Sequence, residues 1–122
     1  MSYIGDFDAS DTIYFKFTTV NTSGVPTALD GGTVAAYKDN STTQTLTGVS
    51  LTASFDSLTG LNHVTVDTSQ DGSFYAVGSD FQLIMVSGTV DSNSIIGYVV
   101  GEFSLRNRAA LYPTTAGRML DV

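Results

Sequence analysis

Apolar and polar residues alternate from about Thr12 to Leu105, and almost nothing in that span would build a helix. It holds one glutamate, Glu102, and two lysines, Lys16 and Lys38, while Thr, Ser, Val and Gly recur throughout. This is the composition of short strands joined by tight turns, so the chain reads as all-β.

The alternation can be placed strand by strand. Ile13, Phe15 and Phe17 interleave with Tyr14, Lys16 and Thr18, a period of two that puts the apolar set on one face. Turn formers from Asn21 to Pro26 and the Asp30-Gly31-Gly32 run lead into a second strand over Val34 to Lys38. A polar piece around Thr43 to Leu46 predicts an edge strand, and Leu51, Ala53 and Phe55 predict a further alternating strand. Val64 and Val66 share one face against His63, Thr65 and Asp67. The longest pair is expected from Phe81–Val90 and Ser94–Leu105, with Asp91-Ser92-Asn93 as the hairpin loop. Both parities of the second arm are apolar near its middle, which predicts a central strand covered on both sides.

About seven strands with turns every 8 to 12 residues fit an immunoglobulin-like β-sandwich, although the cysteine pair and tryptophan of antibody domains are missing. Jelly-roll and other sandwich topologies stay open on this reading. The 122 residues, 42% hydrophobic, suffice for one packed core. Residues 1–105 are read as the sandwich domain, with 1–11 as a leader, and 106–122 as a C-terminal tail. The absence of cysteine excludes disulfides and thiolate zinc sites but says nothing about compartment. A formal charge of −7 opposes nucleic-acid binding, which needs rows of Lys or Arg on phosphates. No stretch approaches a membrane span and the amino terminus lacks the features of a secretion signal, so a soluble domain is expected.

Charge is unevenly placed. The tail holds Arg106, Arg108 and Arg118 against Asp121, about +2, while the body carries two lysines and eleven acids, about −9. A tail of this kind either follows the last strand into solvent or packs on the acidic surface of a neighbouring subunit.

Reactive constellations are weak. His63 is the only histidine, and no Gly-x-Ser-x-Gly elbow supplies a nucleophile beside it. Asp6, Asp8 and Asp11 offer oxygen ligands for Ca²⁺ but lack the loop glycine and bidentate glutamate of an EF-hand, so they read as turn acids. Glu102 with one of the eleven aspartates is an unspecific glycosidase pair. Tyr3, Tyr14, Tyr37, Tyr75, Tyr98 and Tyr112 are candidate sugar platforms, though most have parities compatible with packing. Asn21-Thr22-Ser23 and Asn40-Ser41-Thr42 match glycosylation sequons in Ser/Thr-rich turns, where chance matches are common. Glycines 97 and 101 are read as points where another segment approaches closely. The expectation is a protein that is not an enzyme and needs no cofactor or metal.

Several blocks taken in order, YIGDFDASDTIYFKFTT (3–19), AYKDNSTT (36–43), LTASFDSLTGLNHVTVDTSQDGSFYAVGSDFQLIM (51–85), SIIGYVVGEFSLRNR (94–108) and TTAGRMLDV (114–122), resemble the amino-terminal module of tail or baseplate proteins of tailed, particularly marine, bacteriophages. The pattern is similar to the amino-terminal domain of upper baseplate proteins, which are typically longer than this chain. The resemblance implies a virion structural protein, made in the host cytoplasm and located in the phage tail. It would join a fibre or receptor-binding part to the tail as a trimer or higher ring, with other virion proteins as partners. Tyr3, Ile4, Phe7, Arg106, Arg108, Leu111, Tyr112 and Arg118 are the expected subunit contacts; the competing reading has Tyr3 to Phe7 cap the domain's own core. Alternatives are a capsid decoration or head-fibre protein and a carbohydrate-binding module, the latter with a host surface glycan as ligand.

Overall fold

The computed structural model describes residues 3–106. Nine strands follow in order: β1 (Tyr3–Phe7), β2 (Thr12–Thr18), β3 (Leu29–Lys38), β4 (Gln44–Thr45), β5 (Val49–Thr52), β6 (Leu61–Asp67), β7 (Asp80–Val90), β8 (Asn93–Ser94) and β9 (Val99–Leu105). The larger sheet has the order β1-β9-β7-β3-β4, with β8 extending β7 as a hairpin; the smaller has the order β2-β6-β5. In immunoglobulin lettering the small sheet is B-E-D and the heart of the large one is C-F-G. β4 takes the C′ edge, and β1 closes the other edge by pairing parallel with β9. The chain is an all-β sandwich.

Period-two patterning built these faces. On β2 and β6 the inward residues Ile13, Val64 and Val66 are almost wholly buried. Opposite them lie Val34 and Ala36 of β3, Phe81, Leu83 and Met85 of β7, and Phe103 and Leu105 of β9. At about 1.5–3 kcal/mol for each large side chain removed from water, these residues are the main source of stability. Five rings fill one end of the core. Phe81 stacks on Phe103 at 5.1 Å, Phe7 meets Phe103 edge-on, and Phe74 and Tyr75 close on Phe81 from the loop before β7.

Several details differ from the sequence reading. Residues 3–7, read as a leader, form a strand. Its Ile4 lies against the core, and a side chain on Gly101 would meet Ile4 Cδ1 at 3.0 Å, so the smallness of Gly101 makes room for β1. Gly97 has no such neighbour; its φ of 93° serves a turn instead. The strand expected through Phe55 stops at Thr52, because Ser54, Asp56 and Ser57 adopt positive φ and a short 3₁₀ turn spans Phe55–Ser57. The second hairpin arm is interrupted between Ser94 and Val99. Asn93 itself pairs with Val90, which leaves a two-residue loop of Asp91 and Ser92. Ile96 and Tyr98, read as one covered face of a central strand, lie in the interruption and are 66% and 48% exposed. β9 proper, between β1 and β7, is nonetheless central, with five of its seven residues buried.

Candidate interaction surface

Because β1, β9, β7 and β3 lie side by side, their outward residues form rows across the sheet. Tyr3 stands opposite Glu102, Glu102 opposite Gln82, and Gln82 opposite Tyr37, so one row crosses four strands with a tyrosine at each end. Asp6, Ser104 and Asp80 form the next row. Tyr3, Asp80, Gln82, Glu102, Ser104 and Arg106 line an open groove of about 330 Å³ on this face.

Hydrogen bonds order one side of the groove. Ser104 Oγ donates to Asp80 Oδ1 at 2.5 Å, and the Arg106 guanidinium pairs with the same oxygen at 3.2 Å. The Arg106 backbone N–H donates to the Phe7 carbonyl, so residue 106 is held at both main chain and side chain. The Tyr3 hydroxyl donates to the Asp6 carboxylate, and that bond holds the phenol above its ordinary pKa. Glu102 forms no ion pair with any other described residue. The groove therefore contains one carboxylate bound to a cation and one that pairs with no cation among the described residues.

The expected contact residues divide accordingly. Tyr3 is 56% exposed and faces solvent beside the groove. Ile4 and Phe7 are partly buried and pack on the chain's own core. Arg106 is half exposed and ion-paired within the chain. Arg108, Leu111, Tyr112 and Arg118 lie outside the described residues. Glu102, Gln82 and Tyr37 were not singled out as contacts. Their outward parity was legible, but their alignment with Tyr3 depends on the parallel β1–β9 pairing.

The other candidates are dispersed. His63, on the outer face of the small sheet, stacks between Phe55 at 4.6 Å and Tyr14 at 6.0 Å, while Lys16 Nζ sits 5.0 Å from the Phe55 ring centre. Asp11 accepts the Asp8 backbone N–H, as a turn acid does, and no group of three potential metal ligands occurs among the described residues. The Asn21 side chain accepts the backbone N–H groups of Ser23 and Val25, tying down the turn that contains the first sequon. A smaller apolar depression of about 130 Å³, lined by Thr18, Thr19, Val20, Val90, Ile95 and Tyr98, lies beside the β8 hairpin. Among the described residues, exposed tyrosines consequently occupy three separate places: Tyr3 on the large sheet, Tyr14 on the small sheet and Tyr98 beside that depression. Among the described residues no helix is long and apolar enough to cross a membrane. No protein-family model matches the chain, and no curated protein or solved structure matches it either.

Proposed function

We propose that this chain is a virion structural protein, an assembly module of a phage tail or baseplate that associates with itself and with other virion proteins. The observation that carries the reading is the β1/β9 corner. There β1 is the edge strand of the larger sheet, next to an outward row of Tyr3, Glu102, Gln82 and Tyr37. Edge strands of this kind are templates for further pairing unless they are blunted or covered, and in an assembly a neighbouring subunit supplies the cover. The resemblance of the sequence blocks to phage tail modules points the same way. The three separated tyrosines favour packing over a sugar-binding row, which would need its rings aligned on one surface.

The test is the solution mass of the 122-residue chain by light scattering across concentration. A discrete trimer or higher ring is expected, and dissociation as salt is raised would identify charge as part of the contact. A strict monomer at every concentration would contradict self-assembly.

A further inference from the structure

The cations of this chain fall into two groups. Lys16 lies over the Phe55 ring, Lys38 lies over the Phe74 ring and reaches the Ser73 carbonyl, and Arg106 is paired with Asp80. All three are engaged within their own chain. Residues 3–106 hold eleven acids against these three cations, so two such bodies repel one another at low salt. The other two cations are Arg108 and Arg118, in segment 107–122.

The groove on the large sheet has complementary chemistry. Glu102 offers a carboxylate without an ion-pair partner among the described residues, flanked in register by Gln82 on one side and Tyr3 on the other. A carboxylate beside an amide and an aromatic ring suits a guanidinium, whose planar fork bonds the first two while its face lies against the ring. Resting on the self-assembly reading above, we propose that this row is the docking site for segment 107–122 of a second copy of the chain, with the Arg118 guanidinium on the Glu102 carboxylate.

Chain length selects the arginine, and the self-assembly reading selects the second copy. β9 runs from Val99 to Leu105, so the chain passes Glu102 four residues before it reaches Arg106. The bonds from Arg106 to Phe7 and Asp80 fix that point of departure. Arg108 is only two residues beyond it. Arg118 is twelve beyond, a contour of about 40 Å at 3.3–3.6 Å per residue, enough to span to a neighbouring body. Each copy would give a segment and receive one, so the contact passes head to tail and closes as a ring.

The experiment compares the parent chain with Glu102→Arg, Arg118→Glu and the double reversal by light scattering, each checked for native β circular dichroism. Each single reversal is expected to raise the concentration of half-association at least about tenfold, the scale of one charge-assisted hydrogen bond, and the double reversal to recover most of the loss. Glu102→Gln keeps the side chain's shape and removes its charge, so it serves if Glu102→Arg does not fold; it is expected to weaken association in the same direction. A parent chain that associates while the single reversals leave its mass unchanged would overturn this docking and leave the assembly reading standing. Loss in both singles without recovery in the double would overturn the Arg118–Glu102 pairing. A monomeric parent chain would end both proposals.

Discussion

Tyr75 shows how a single polar atom is accommodated in this core. Its ring packs against Phe74 and Phe81, its hydroxyl donates to the Thr47 carbonyl at 2.9 Å, and the residue is 2% exposed. Burial pushes the phenol well above its ordinary pKa, and the nearby Asp71 carboxylate adds to the effect. In the unfolded chain the same group ionises near pH 10, so its contribution to stability is complete below that pH and is lost as pH rises toward the folded value. Tyr75→Phe is therefore expected to cost about 1 kcal/mol at neutral pH through the lost hydrogen bond. Above pH 10 the parent should lose stability faster than the variant, so the gap narrows. Urea unfolding of both proteins at pH 7 and pH 11 measures this, and parallel pH dependences would refute it. No local pattern marks this role. Phe74 and Tyr75 follow Asp71-Gly72 in an aperiodic loop, and only the sheet packing shows that they plug the end of the core.

Strands were legible wherever one face is apolar and the other polar. β2, β6 and β7 follow their periodicity closely, because a one-residue slip would turn Ile13, Val64 or Phe81 out to water. β1 was not legible: Tyr3, Ile4 and Phe7 lack strict alternation, and a parallel edge pairing between residues about a hundred positions apart leaves no local signal. The β7–β8 hairpin was placed correctly but one residue too long, since its loop contains no glycine to mark the turn. Asp91 and Ser92 both adopt positive φ, at 50° and 65°, the pattern of a type I′ turn. A residue with a Cβ in that region costs about 1 kcal/mol, so Ser92→Gly is expected to stabilise the protein by up to about that amount, less the extra entropy of a glycine in the unfolded chain. Thermal unfolding would register the gain as a higher midpoint; a lower one would show that the turn is held by contacts of the Ser92 side chain.

At the scale of the molecule, fold class was readable because composition, turn spacing and alternation all pointed to a sandwich. The interaction surface was only half readable. Unequal charge between body and tail is visible in a linear sequence, and so are Tyr3 and Arg106 as exposed candidates. The alignment of Tyr3, Glu102, Gln82 and Tyr37 into one row requires the register of four strands, three of them far apart in the chain. Assembly is proposed at that row and at the edge strand β1 beside it. The most direct test is a cryo-electron microscopy or crystallographic map of the 122-residue chain at a concentration where it associates. A second copy is expected on the β1/β9 corner, with Glu102 beneath it. A copy seated instead on the Tyr14 face or the depression beside Tyr98, with the β1/β9 corner bare, would contradict it.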